Sequence, residues 1–504
     1  MDQTRAPFFA RMQEFAASDA VMFSTPGHKR GAGLDETVRE MFGAALGVDV
    51  PHGGGVDTPH FSRGLLRQAE RLAAEAHGGD DARFLVNGST TGNLAMLLAT
   101  CNPGDEIIIS RMLHKSLLAG LVFSGARPVY LKPVIDEQHN LPLDTRPESV
   151  AEALRNHPDA KAVVLVSPSY VGVTSDLERI AEICHAAGVP LLVDEAWGPH
   201  LHFHSGLPQS AMAAGADASV SSTHKMLGAL TQGSTLVMRR GLLDIERMHT
   251  VVDMVQTTSP SVLIFGSLDA SRRQMALEGE RLLGRAIELA RQVRDAVAEI
   301  DGLSAVGPDL LAGRDGADFD VTRVMVDIHE LGLTGYDAEE ILREQHSVMV
   351  EMSDLMSVLL LITIGDDDHS ISRLIAGLRD LPNHRRQAGT GVMPRSTGEL
   401  LFSGEAVMTP REAFSATVEH VAPAAAVGRI SAESITPYPP GIPIITPGER
   451  IRTEVIDYLR AGIEAGMYIS GLSDETFSTL RVVAADRPIA HGNTPSLPTG
   501  HQPC

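Results

Sequence analysis

From about residue 60 to residue 270, short apolar runs alternate with stretches of helical periodicity, and no other feature narrows the fold so far. The runs lie at 106–109 (EIII), 162–166 (AVVLV), 190–193 (PLLV) and 235–238 (TLVM). Near-continuous apolar strands separated by helices belong to a parallel sheet covered on both faces. One intervening helix can be read residue by residue. Asp176 opens it, Leu177, Ile180, Ala181 and Cys184 recur at helical spacing, and Gly188 stops it.

A second rhythm follows. Leu282, Ala286, Leu289, Val293 and Val297 fall on one stripe, which predicts a long amphipathic helix over about 277–300. Residues 322–328 (TRVMVDI) and 358–363 (VLLLIT) read as strands of a smaller α+β unit ending near residue 385. A third region opens with Thr409 and Pro410, and its segment 437–447 (PYPPGIPIITP) is too rich in proline for a central strand. The expected division is an N-terminal arm (1–60), a large domain (61–270), a small α+β domain (271–385), a C-terminal α+β domain (386–485) and a disordered tail (486–504).

Charge and cysteine content exclude several classes of function. The 64 acidic against 42 basic side chains leave a net charge of −22, which disfavours a nucleic-acid partner. No apolar run approaches the roughly 18 residues of a membrane span, and residues 1–12 carry no secretory pattern, so a cytoplasmic location is expected. Cys101, Cys184 and Cys504 are too scattered for a disulfide scaffold or a zinc ribbon. The alternation in 200–204 (HLHFH) would put His200, His202 and His204 on one strand face. Without an acidic or cysteine complement it is a weak metal candidate, and no metal is expected.

Chemistry concentrates between residues 87 and 234. Residues 87–93 (NGSTTGN) follow an apolar run and precede a helix, so their backbone N–H groups and the hydroxyls of Ser89 and Thr90 suit a phosphate; an ordinary helix N-cap is the competing reading. Asp194 closes PLLVD, where a buried carboxylate needs a cationic or hydrogen-bonding partner unless it caps a turn. The chain has five lysines, Lys29, Lys115, Lys132, Lys161 and Lys225, and only Lys225 is flanked by hydroxyls, a histidine and glycines (SSTHK). A phosphate cradle, a strand-end aspartate and a lysine 31 residues later together match pyridoxal phosphate. The lysine would form a Schiff base with the aldehyde and the carboxylate would keep the ring nitrogen protonated. His114 could stack on the opposite ring face.

These motifs, with 25–31 (TPGHKRG), 167–170 (SPSY), 194–200 (DEAWGPH), 258–261 (TSPS) and 437–443 (PYPPGIP) followed by PGE, resemble the ornithine/lysine/arginine decarboxylase family over roughly residues 20–475. The resemblance implies the PLP-dependent transferase fold (type I), a homodimer or higher homo-oligomer with its active site at the dimer interface, and decarboxylation of a basic L-amino acid. It implies Ser89 and Thr90 at the phosphate with Ser222 and His224 nearby, His114 over the ring, Ala196 beneath it, Asp194 at the ring nitrogen and Lys225 as the Schiff-base lysine. The resemblance is to the family's short form, in which no wing domain is expected. Residues 53–60 (GGGVDTPH) and Trp197 depart from the usual pattern near the substrate entrance. Glu351, Asp354 and Glu449 are candidate carboxylates for the distal basic group, with Trp197 as a pocket wall. An aminotransferase or other lyase on the same scaffold, or a non-catalytic PLP-binding homologue, is the alternative.

Overall fold

The computed structural model describes residues 1–51, 56–57, 64–139, 141–386, 402–438 and 441–484. Most of the 53–60 departure and the tail from 486 lie outside the described residues. The large domain is built on seven strands: β1 (Asp81–Leu85), β2 (Glu106–Ser110), β3 (Arg127–Leu131), β4 (Val163–Val166), β5 (Leu191–Asp194), β6 (Ala218–Ser221) and β7 (Ser234–Met238). Their order is β1-β7-β6-β5-β4-β2-β3. The pairs from β6 to β3 are parallel, whereas β7 runs antiparallel to both β1 and β6. The four expected runs are all strands. The run at 235–238 takes the reverse direction because a short return from β6, rather than a crossover helix, delivers it.

Local signals act as read. Asp176 caps Leu177–Ala186 by accepting from Arg179 N at 3.1 Å, and Gly188, with φ of +70°, ends the turn that follows. Thr409 and Glu412 form a capping box on Pro410–Ser415.

The long helix runs over Val262–Ala298, 37 residues, and starts well before the expected point. Its early turns bury Phe265 and Leu268 with Phe8, Met12 and Phe15 of the helix Pro7–Ala16; its late turns bury Leu289, Val293 and Val297 in the small domain. Asp269 Oδ2 accepts from Phe8 N (2.9 Å) and Phe9 N (3.2 Å), and Asp269 pairs with Arg272 at 2.7 Å. The boundary expected at 270/271 therefore cuts through one clamp in a continuous helix.

The small domain adds an antiparallel sheet of β8 (Ser304–Val306), β9 (Arg323–Asp327), β10 (Met352–Ser353) and β11 (Ser357–Leu361), in the order β8-β9-β11-β10. The C-terminal region packs the helix Thr453–Glu464 and two short ribbons, one of which carries Pro437. A single apolar core joins all three units: Tyr170 and Val173 from the first, Phe319 and Leu359 from the second, Ile442 and Leu459 from the third. Among the described residues no helix is long and apolar enough to cross a membrane.

Candidate active site

The C-terminal ends of β1, β4, β5 and β6 converge on a crevice, the position where open parallel sheets bind ligands. Ser89, His114, Asp194, Ala196, Trp197 and Lys225 all face it. Gly441 and Ile442 of the C-terminal domain close one side, and Met112, Val166, Ser169 and Tyr170 complete the wall. Thr90, Ser222 and His224 stand outside this lining.

After β1 the chain turns through Gly88, at φ +70°, into the helix Gly88–Thr100. Asn87 holds the N-cap position but no side chain caps the helix, so the N-cap reading of Ser89 and Thr90 does not hold; Gly88 N donates to the Gln232 carbonyl at 2.8 Å, and the N–H groups of Ser89 and Thr90 have no acceptor within the helix. Ser222 donates its hydroxyl to Ser89 Oγ at 3.0 Å, which brings a hydroxyl from the segment after β6 to that helix end beside Ser89. Gly92 lets the helix approach β6: a Cβ there would lie 2.3 Å from Val220 Cγ2. His224 turns its Nδ1 to the Gly233 carbonyl at 2.9 Å.

Asp194 is 2% exposed. Its carboxylate accepts from Asn93 Nδ2 at 2.7 Å and from Ala196 N at 3.1 Å, both neutral donors, and it has no ion pair among the described residues. Lys225 follows on the short helix Thr223–Met226, with Nζ 3.6 Å from the centroid of the Trp197 ring. Burial lowers its pKa to about 8, against the upward pull of Asp194 and with a further push down from Arg323. His114 caps the helix Lys115–Ser124, and burial pushes its pKa down.

A vitamin B6 phosphate fits these groups. An uncapped helix end with two hydroxyls suits its phosphate, an unpaired buried carboxylate suits a pyridinium N–H, and an amine with lowered basicity suits its aldehyde.

The proposed distal carboxylates separate. Glu351 precedes β10 within electrostatic reach of both Lys225 and Arg323. Asp354 is committed to the β10–β11 turn, where it accepts from Met356 N and Ser357 N at 2.7 Å each and from Ser357 Oγ at 3.0 Å. Glu449 is withdrawn altogether. It is 2% exposed and forms a two-pronged pair with the fully buried Arg111, Nε to Oε1 at 3.2 Å and Nη2 to Oε2 at 2.9 Å. The three histidines also part company. Residues Leu201–Phe203 form a 3₁₀ turn rather than a strand; His200 binds Asp320 at 3.0 Å, His202 meets Ser210 at 3.0 Å, and His204 lies 3.7 Å from Glu280.

Several contributors escaped the sequence reading. Arg323 opens β9, is fully buried, and donates to the carbonyls of Tyr170 (3.2 Å) and Trp197, fixing two walls of the crevice. Asp320 sits beneath it, 3.3 Å from Arg323 Nε. Burial would raise the Asp320 pKa, but His200, Arg323 and the Thr322 hydroxyl hold it well below the usual range. A charge at the head of an apolar strand was the only available signal. Asn93 lay inside the quoted loop, unassigned.

The profile described as "Orn/Lys/Arg decarboxylase, major domain" matches residues 6–323, and the corresponding C-terminal domain profile matches residues 399–481. An arginine decarboxylase of Halalkalibacterium halodurans is 41% identical over 484 residues, covering 95% of this chain and 98% of that protein. An arginine decarboxylase of Bacillus subtilis is 40% identical over 491 residues, covering 97% and 100%. The crystal structure of the lysine decarboxylase LdcF of Francisella novicida superposes with a TM-score of 0.80 at 20% identity, covering 95% of this chain and 81% of that one.

Proposed function

The chain belongs to the Orn/Lys/Arg decarboxylase family, and on that premise we propose that its substrate is L-arginine, with Lys225, Asp194 and His114 as the catalytic residues. The reaction class and cofactor follow from the family: it is a pyridoxal-phosphate-dependent decarboxylase of basic amino acids. The observation that carries the residue assignment is the convergence of Lys225, Asp194, His114 and Ser89 on one crevice.

When bound there, the cofactor supplies an electron sink for the pair left on Cα as CO2 departs. The chain's own groups do the rest. Lys225 Nζ provides the amine that tethers the aldehyde and, once released by substrate, a proton for Cα. Asp194 accepts the ring N–H, held in place by Asn93 Nδ2 and Ala196 N. The end of the helix Gly88–Thr100, with the hydroxyls of Ser89, Thr90 and Ser222, holds the phosphate, and Ala196 supports the ring. Trp197, Val166 and Ile442 form an apolar surround that excludes water and favours loss of the substrate's charged carboxylate. Glu351 attracts the cationic end of the substrate. Arginine is preferred because the relatives near 40% identity are named arginine decarboxylases. A homodimer acting in the cytoplasm completes the reading, and light scattering of the purified protein tests the dimer.

The deciding experiment incubates the PLP-loaded protein with arginine, lysine and ornithine separately, without a keto-acid acceptor, and identifies the amine and CO2. Agmatine from arginine supports the proposal. Cadaverine or putrescine as the main product reassigns the substrate, and CO2-free turnover that requires a keto acid overturns the reaction.

A further inference from the structure

Four side chains from three elements form one hydrogen-bonded line beneath the crevice. Asn93, buried on the helix Gly88–Thr100, donates through Nδ2 to Asp194 Oδ2 at 2.7 Å and to Ser116 Oγ at 2.9 Å. Ser116 Oγ lies 2.8 Å from His114 Nδ1, and the backbone N–H of Ser116 reaches the same nitrogen at 3.3 Å.

Valence sets the direction of each bond. An ionised Asp194 offers only lone pairs, so the amide nitrogen of Asn93, not its oxygen, must face it. The other N–H of that amide goes to Ser116 Oγ. The backbone N–H of Ser116 can only donate, so His114 Nδ1 must carry a lone pair. The Ser116 hydroxyl, already accepting from Asn93, then sends its own proton to that lone pair. The single proton of a neutral His114 ring is left on Nε2.

We propose that Asn93 and Ser116 are positioning residues that lock His114 as its Nε2–H tautomer and tie its orientation to Asp194, leaving Lys225 Nζ to deliver the proton to Cα. The inference rests on the proposed roles of Asp194, His114 and Lys225, and it divides labour between the last two. A ring whose Nδ1 already receives two donors can gain a proton there only by losing the backbone N–H bond and reversing the Ser116 hydroxyl. The surrounding charges agree in sum: burial, Lys225 from the helix after β6 and Lys115 on the ring's own helix all oppose a cationic His114, while Asp194 at the end of β5 favours it. His114 therefore stacks and donates, and does not serve as a reservoir of protons.

The test is nitrogen-15 NMR of histidine-labelled holoenzyme, with His114→Gln identifying the His114 signals. The expected wild-type pattern is a protonated Nε2 and a bare Nδ1 from about pH 6 to pH 8. Ser116→Ala should loosen the lock, so that Nδ1 protonation appears toward the acid end, and kcat should fall about tenfold, one hydrogen bond's worth, with KM little changed. Ser116→Thr should restore both. A protonated Nδ1 in the wild type overturns the lock, as does an unchanged tautomer in both Ser116→Ala and Asn93→Leu. Absorbance of the lysine-bound cofactor is recorded on the same samples: its absence would defeat the underlying site assignment, whereas its presence with a protonated Nδ1 would defeat the lock alone.

Discussion

Lys225 has an acid–base character set by its surroundings rather than by its type. With burial lowering its pKa to about 8, about half of it is the neutral, nucleophilic amine at that pH, where an ordinary lysine would be almost wholly charged. Uptake of PLP by the apoprotein, followed by the visible absorbance, should accelerate as pH rises and level off above about 8. A rate still climbing steadily toward 10 would show that the amine is not desolvated. Lys225→Ala should remove both that absorbance and turnover, with activity falling by at least about 10³-fold. Asp320→Asn attacks the same pocket from behind. It replaces the anion between His200 and Arg323, so the grip of Arg323 on the Trp197 and Tyr170 carbonyls should weaken, and thermal denaturation should show a loss of about 3 kcal/mol or more. The candidate residue was legible where covalent identity singles it out: few lysines are present, and only Lys225 follows a run of hydroxyls. It was illegible where a third residue decides it, since Asp354 and Glu449 are acids like Glu351 until their partners are seen.

The helix Gly88–Thr100 shows what an element contributes beyond its side chains. Its uncapped end is useful only if the helix lies close against β6, and Gly92 permits that approach. Gly92→Ala should force the helix and Val220 apart, costing about 1–3 kcal/mol in thermal unfolding and weakening PLP affinity with every cofactor contact still encoded. A mutant with reduced stability but undiminished affinity would mean that helix placement does not govern the phosphate end. Elements defined by neighbours a few residues away, such as the Asp176 helix and the Thr409–Glu412 box, follow directly from the sequence. The direction of β7 and the turn over residues 201–203 do not. Both are set by how short the connection is and by what the chain packs against, and apolar alternation is blind to that.

At the scale of the molecule, Arg111 joins units 338 positions apart. Its bond to Glu449, with a further one to the Pro443 carbonyl, holds the segment that places Gly441 and Ile442 on the crevice. Because both partners are buried, either Arg111→Met or Glu449→Gln alone should destabilise the protein by about 3–5 kcal/mol, while the double substitution should recover much of that. Additive losses in denaturant unfolding would argue against the pairing. No local pattern announces such a bond; only the fold selects which cation meets which anion. The helix Val262–Ala298 binds the remaining units in a different sense. At about 1.5 Å per residue it is a rod some 55 Å long, its two ends embedded in two cores. A backbone nick near residue 270 would leave neither fragment self-sufficient, and the natural seams for dissecting this enzyme lie elsewhere along the chain.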